Sequence, residues 1–252
     1  MKFITIYKFE MKSMMKFAIL FCSGFILGGC GGSTPSDKAE QNNKLSEQTD
    51  KGLKEKEVAD NSIKSVKIDK LLWTAENLNV TTFRNGETIP ESKTAEEWKI
   101  AAKEKKACYS SYANKEENGI SFGKLYNWYA VNDKRGLAPK GWHIPSDEEL
   151  TGLISISGGK DVAGGKLKEA GTLHWITPNN GADNSSNFTA LPGGYRGADG
   201  TFNNITKAAG FWSVKEFDAQ NAWRISLQNE TSSVDHSIRD KAFGFSVRCV
   251  KD

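Results

Sequence analysis

Three histidines and four cysteines are all that 252 residues contain, and the charge balance is nearly even, 34 basic against 31 acidic residues for a net +3. Each shortage removes a class of chemistry. His143, His174 and His236 stand apart, with no His or Cys at ligand spacing, so no zinc motif is present. The small net charge gives no electrostatic case for nucleic acid or for a strongly acidic partner. No "GxSxG", paired-His helix or phosphate-cradling glycine loop occurs. No self-similarity at 20 to 50 residues is visible, which argues against a solenoid or propeller. What is abundant is aromatic and turn-forming: seven Trp, thirteen Phe and 24 Gly. That composition predicts a domain of many turns, not a helical bundle.

Residues 12 to 30, "KSMMKFAILFCSGFILGGC", place Lys12 and Lys16 before an apolar run of about eleven residues, too short to span a bilayer and suited to a signal-peptide core. The run ends in "LGGC", Leu27 to Cys30, which resembles the bacterial lipobox: an apolar residue, two small ones, then the cysteine whose sulfur is alkylated by diacylglycerol. This predicts a signal peptide over 1–29 and a lipidated Cys30 that holds the protein in the membrane. Gly31 follows the cysteine where an inner-membrane retention signal has Asp, so the expected location is the outer membrane, on the periplasmic face or at the cell surface. The next stretch, 30–65, has almost no large apolar residues and mixes both charges. It reads as a disordered tether with a reach of roughly 30 to 35 Å.

The folded domain is expected over 66–252. Strands are predicted at "VKID" (66–69) and "LLWT" (71–74), and a helical stretch around 94–106. In "FGKLYNWYAV", 122–131, Leu125, Trp128 and Val131 at spacing three predict one face of a short helix, with Trp128 in the core. In "GWHIPSDEEL", 141–150, Pro145 blocks a helix upstream, while Ser146 and Glu149 form a capping box. A helix therefore starts at Ser146. Leu150, Leu153 and Ile154 are its buried stripe, and Asp147 and Glu148 complement its dipole. His143 has no partner in sequence that would make it chemical. "PNNGADNSSN", 178–187, reads as a solvated loop. "AWRISLQN" alternates Trp223, Ile225 and Leu227 against Arg224 and Ser226, as a half-buried strand does. "KAFGFSVRCVKD" places Phe243, Phe245, Val247 and Cys249 on one face of a closing strand. In an oxidising compartment, Cys108 and Cys249 are expected to pair, a link worth about 5 kcal/mol in the chain-entropy model; the alternative is two buried free thiols.

Taken in order, "WTAENLNV", "FGKLYNWYAV", "PKGWHIPSDEELTGL", "FTALPGGYR", "DGTF", "GFWS" and "GFSVRCVKD" resemble the Fibrobacter succinogenes major paralogous domain, found in lipoproteins and secreted proteins of Bacteroidetes-type bacteria. Family members often carry Cys before the Pro of "PxGWH"; here Ala138 stands there. A more distant similarity, carried by "HIPSDEELT", "PGGYR" and "GFSVR", joins the sequence to the formylglycine-generating, sulfatase-modifying group. It implies an α+β, C-type-lectin-like domain with a small twisted antiparallel sheet, two short helices and long ordered loops.

Three functions follow from these readings. The first is a non-catalytic binding or adhesion module displayed on the envelope, its ligand a polysaccharide or an envelope protein. The second is a structural envelope component without a soluble ligand. The third is an enzyme related to the formylglycine-generating group, but those enzymes use a reactive cysteine pair, and Cys249 is a single late cysteine in an apolar strand pattern. The calcium-dependent lectin motifs are absent too. No catalytic residue, metal or cofactor is therefore assigned. The binder reading singles out Trp175, Tyr195, Trp212 and Trp223 as aromatics able to stack on sugar rings, with Arg196 beside Tyr195. For each of these rings a place in the core is the default reading, and Trp175, after a Gly-rich turn, is the one to test first for exposure.

Overall fold

Residues 65 to 74 fold back on themselves as an antiparallel hairpin, β1 (Ser65–Ile68) and β2 (Leu71–Thr74). Asp69 turns the corner at φ 52°, a conformation that Asp tolerates better than most residues. The computed structural model describes residues 63–252. The expected signal peptide, Cys30 and nearly all of the tether lie outside the described residues.

Next comes α1 (Ala95–Lys103), which starts where its sequence says it should: Thr94 Oγ1 accepts the Glu97 N–H, and the Glu97 carboxylate accepts the Thr94 N–H. The chain continues through β3 (Tyr109–Ser110), α2 (Glu116–Phe122), β4 (Leu125–Asn127) and α3 (Trp128–Val131). The single helix expected over 122–131 is thus a strand that runs into one helical turn. Asn127 makes the break: its side chain accepts the Ala130 N–H at 3.0 Å and the Cys108 N–H at 3.1 Å.

After β5 (Trp142–His143), α4 (Asp147–Ile156) opens on the predicted capping box. Its Leu150, Leu153 and Ile154 are buried as expected. Then follow α5 (Ala163–Leu167), β6 (Tyr195–Arg196), β7 (Phe202–Asn203), β8 (Ala208–Glu216), β9 (Asn221–Gln228), β10 (Val234–Asp240), β11 (Gly244–Phe245) and β12 (Val250–Lys251). The order is α+β. Among the described residues it comprises three small antiparallel sheets where one was expected and five α-helices where two were, three of them of seven residues or fewer.

One sheet runs β1-β2-β12-β5 and brings the two ends of the domain together. A second runs β3-β4-β11-β6-β7. The third, β10-β9-β8, is a meander of the longest strands and lies between two apolar clusters. Phe211, Ile225 and Leu227 face the cluster that holds the α4 stripe and Trp73. Trp212 and Ala222 face the cluster around Tyr126, Trp128 and Phe245. Arg224 and Ser226 are consequently buried as well, so the expected half-buried strand β9 is covered on both faces over 224–227. Gly210 allows the close fit on the Phe245 side: a Cβ there would stand 2.4 Å from Phe245 Cδ1.

The predicted closing strand is divided. β11 belongs to the five-stranded sheet and β12 to the four-stranded one, with 246–249 bridging between them. Its polar residue Arg248 is fully buried, and its guanidinium donates to Asn77 Oδ1, Thr74 O, Phe188 O and Thr189 O at 2.7 to 3.0 Å. Four acceptors meet the desolvation cost of the charge without a carboxylate. Cys249, one residue on, gives its N–H to Thr74 Oγ1. Cys108 lies just before β3 and accepts from Asn127 Nδ2 at 3.2 Å. Both are buried and free, so the expected disulfide is not formed. Each cysteine is instead held beside its own sheet, Cys108 through its sulfur and Cys249 through its backbone N–H.

Candidate functional site

The stretch that carries the most sequence signal, 141–150, forms a strand end and a capped helix. Strand β5 presents His143, and the first turn of α4 presents Glu149 one turn away. His143 Nε2 lies 2.9 Å from Glu149 Oε1, and Nδ1 lies 2.8 Å from Asp252 Oδ1. The other Glu149 oxygen accepts the Ser146 N–H at 2.8 Å, so one carboxylate both caps the helix and holds the imidazole. Burial works against the charge on His143, and the bonds from Glu149 and Asp252 outweigh it, leaving the imidazole more basic than usual. The partner missing in sequence is therefore present in space. The other two histidines behave alike: His174 Nδ1 meets Glu169 at 2.8 Å, and His236 Nε2 meets Asp147 Oδ1 at 2.7 Å.

Beside His143 a cleft of about 550 Å³ is walled by Val131, Leu137, Ile144 and Val214, with Arg84 and Glu149 at its edges. Arg84 is already engaged, donating to Ala138 O and Trp142 O. Among the described residues, no group of three His, Cys, Asp or Glu side chains is arranged to hold a metal ion. The thiols are also poorly placed for chemistry: burial pushes Cys108 to about 11 and Cys249 to about 12, far from thiolate at neutral pH.

The five candidate contact residues separate sharply. Trp175, the first ring to test for exposure, is buried, with Nε1 donating to Ala190 O at 2.9 Å. Trp212 is buried against Phe245 and donates to Tyr126 O. Arg196 is fully buried, donates to Gly200 O, Ser92 O and Thr94 O, and stands 4.6 Å from the ring centroids of both Trp98 and Phe202. These three hold the fold together, because a large ring or fork whose polar atoms find backbone acceptors is most stable inside.

Tyr195 and Trp223 reach the surface in part. Tyr195 packs against Phe243 and Phe245 on one side of the meander. Trp223 lies near the start of β9, with its ring stacked on His236 at 4.7 Å and the edge of Phe217 at 5.6 Å. Phe217 is 53% exposed, at the turn that joins β8 to β9. Asp218 makes that turn rigid, accepting the Gln220 and Asn221 N–H groups at 2.7 Å each. Lys241 braces it from behind, donating to Asp218 O and pairing with Glu216 at 3.1 Å. Sequence reading had Trp223 and missed Phe217. The available signal was the polar "DAQN" turn directly after an aromatic residue, which places that ring at a hairpin tip.

Elements, sheets and packed aromatics define an α+β domain of antiparallel sheets with an exposed aromatic hairpin. Its sequence over residues 66–251 matches the Fibrobacter succinogenes major domain, and the chain belongs to that family. Neither the curated proteins nor the solved structures contain a match.

Proposed function

We propose that this chain is an outer-membrane lipoprotein, anchored through Cys30, whose domain is a non-catalytic binding module for an envelope or external polysaccharide or protein. The observation that carries this reading is the Phe217 and Trp223 pair. Among the described residues Phe217 is the one aromatic ring more than half exposed, and it stands on a hydrogen-bonded turn, edge-on to the partly exposed Trp223. It gives a rigid apolar contact of the kind that stacks on sugar rings or seats a protein side chain, at little ordering cost. The buried thiols argue against an activity like that of the formylglycine-generating group. Sheet order supports the finer, C-type-lectin-like reading: the first and last strands lie in one sheet, and a long meander packs between two cores.

Two measurements test the proposal. Metabolic labelling with an alkyne fatty acid should mark the wild-type chain and not Cys30→Ala; equal labelling of both would remove the anchor. A glycan array and an envelope pull-down with the full chain should yield a ligand whose capture falls on Phe217→Ala and Trp223→Ala. A ligand indifferent to both substitutions would move the site elsewhere.

A further inference from the structure

The meander ends on an open edge. Strand β10 pairs with β9 along its whole length, from Val234 opposite Leu227 to Asp240 opposite Asn221, and no strand lies on its other side among the described residues. In an antiparallel pair, alternate residues turn both main-chain groups toward the neighbour and the rest turn them away. Two bonds fix which residues do which. The Lys241 N–H reaches Gln220 O and continues the ladder to β9, while the Val234 N–H points the other way, to Lys160 O. His236, Ile238 and Asp240 therefore direct their N–H groups outward, where no acceptor is present among the described residues. Such an edge is a template for another strand.

Its side chains select that strand. Edges are commonly blunted by charges, but β10 carries both signs, Asp235, Arg239 and Asp240, around a partly exposed Ile238. Arg239 takes part in no ion pair among the described residues. Laid antiparallel on a copy of itself and centred on Ile238, the strand meets itself without conflict. Ile238 faces Ile238, Ser237 faces Arg239, His236 faces Asp240, and Arg239 lies diagonal to Asp235. Outward N–H groups then oppose outward carbonyls. The other registers fail. Centred on Ser237 or His236, the second strand would run into Lys160, which already holds Val234. Centred on Arg239, it would set two guanidinium groups face to face. Centred between two residues, it would match outward-facing groups with inward-facing ones.

We propose that a second copy of this chain pairs along β10, through a two-fold antiparallel contact about Ile238 that joins two meanders into one continuous sheet. Trp223 lies directly across from Ile238 in β9, so a row of Trp223, Ile238, Ile238 and Trp223 crosses the two-fold axis on one face of that sheet. The pairing stands whether or not those rings take a ligand. A single strand pair buries less than the roughly 1,200 to 2,000 Å² of a standard interface, so the dimer is expected to be weak, with a Kd of about 10 to 100 μM.

Sedimentation equilibrium of the full chain in density-matched detergent should show this monomer–dimer equilibrium. Ile238→Lys sets two ammonium groups together at the axis and should raise the Kd more than about tenfold, while Ile238→Val should keep it within about threefold. Register is read by disulfide trapping. Chains carrying Ser237→Cys and Arg239→Cys, mixed and mildly oxidised, should link to each other faster than either links to itself, because the two positions oppose one another in a non-hydrogen-bonded pair. The wild type, whose Cys108 and Cys249 are buried, is the blank. A chain still monomeric at about 200 μM, well above that Kd, would overturn the proposal. So would a dimer indifferent to Ile238→Lys in a variant with unchanged circular dichroism, self-links that outpace the mixed link, or links formed with other envelope proteins and none with a second copy.

Discussion

His236 Nε2 stands 2.7 Å from Asp147 Oδ1, and this contact ties the edge strand β10 to the first turn of α4. Trp223 stacks on the same imidazole. Helix, strand and partly exposed ring therefore move as one unit. Asp147→Asn leaves a neutral partner at the same distance and should change stability by less than about 1 kcal/mol, as partly exposed pairs do. His236→Ala removes the stack and should alter the Trp223 emission, measured against a Trp223→Phe control. Identical spectra in wild type and His236→Ala would show that the ring is not held by the imidazole.

Arg248 is the residue whose replacement should cost most. Its four acceptors, three of them backbone carbonyls, converge on one guanidinium. Arg248→Met leaves them buried and unsatisfied, and about 3 to 5 kcal/mol should be lost in urea unfolding. Arg248→Lys should recover only part of this, since an ammonium cannot reproduce the fork. A loss under about 1 kcal/mol in either variant would contradict the assignment.

Lys168 plays a similar part for the loop at 177–187. Its ammonium donates to Asn180 O, Gln228 O and Thr231 O, each at 2.9 Å, while burial lowers it to about 8, so it remains largely protonated at neutral pH. Lys168→Met should speed amide exchange at Asn180 and Asn229 before that of the α4 amides. Uniform acceleration across the domain would mean a global effect instead.

His143 makes stability depend on pH. Its folded-state basicity is raised, so protonation favours the folded form. The contribution is complete below the unfolded histidine pKa of about 6.5 and is lost as pH rises through the higher folded value. The stability difference between wild type and His143→Asn should therefore be larger at about pH 5.5 than at about pH 8.5, the sign set by that linkage. A difference that grows toward alkaline pH would reverse the reading.

The two thiols should resist labelling. Cys108 and Cys249 are both buried and far from ionised near neutrality. An aromatic disulfide reagent should react with neither in the native domain at neutral pH and with both in denaturant. Rapid native labelling would place at least one at the surface.

Local signals were legible in the sequence and distant ones were not. Both capping boxes bind within three residues, so Ser146 with Glu149 announces α4 without any tertiary contact. The β1–β2 hairpin is local in the same way. The period of three in Leu125, Trp128 and Val131 misled because Tyr126 of β4 and Trp128, Ala130 and Val131 of α3 feed one cluster, while Leu125 is buried outside it. Trp175, Trp212 and Arg196 looked like surface candidates because the carbonyls that hold them come from elsewhere: Ala190, Tyr126, and the pair Ser92 and Thr94. Nothing near Arg196 in sequence announces acceptors a hundred residues earlier. The exposed Phe217 was hidden for the opposite reason, since burial is the default for its type.

Strand β1 sits at the margin of its sheet, paired on one side only among the described residues. The chain enters it through Lys64, whose carbonyl accepts the Ala75 N–H and whose side chain pairs with Glu76 at 2.7 Å. A pull delivered through the preceding segment would load that exposed pair first, then the ladder to β2, while β2, β12 and β5 stay joined. The domain thus has a mechanical fuse at its entry, one short strand that would give way before β2, β12 and β5 part, drawing Val66 and Ile68 off the core as it goes.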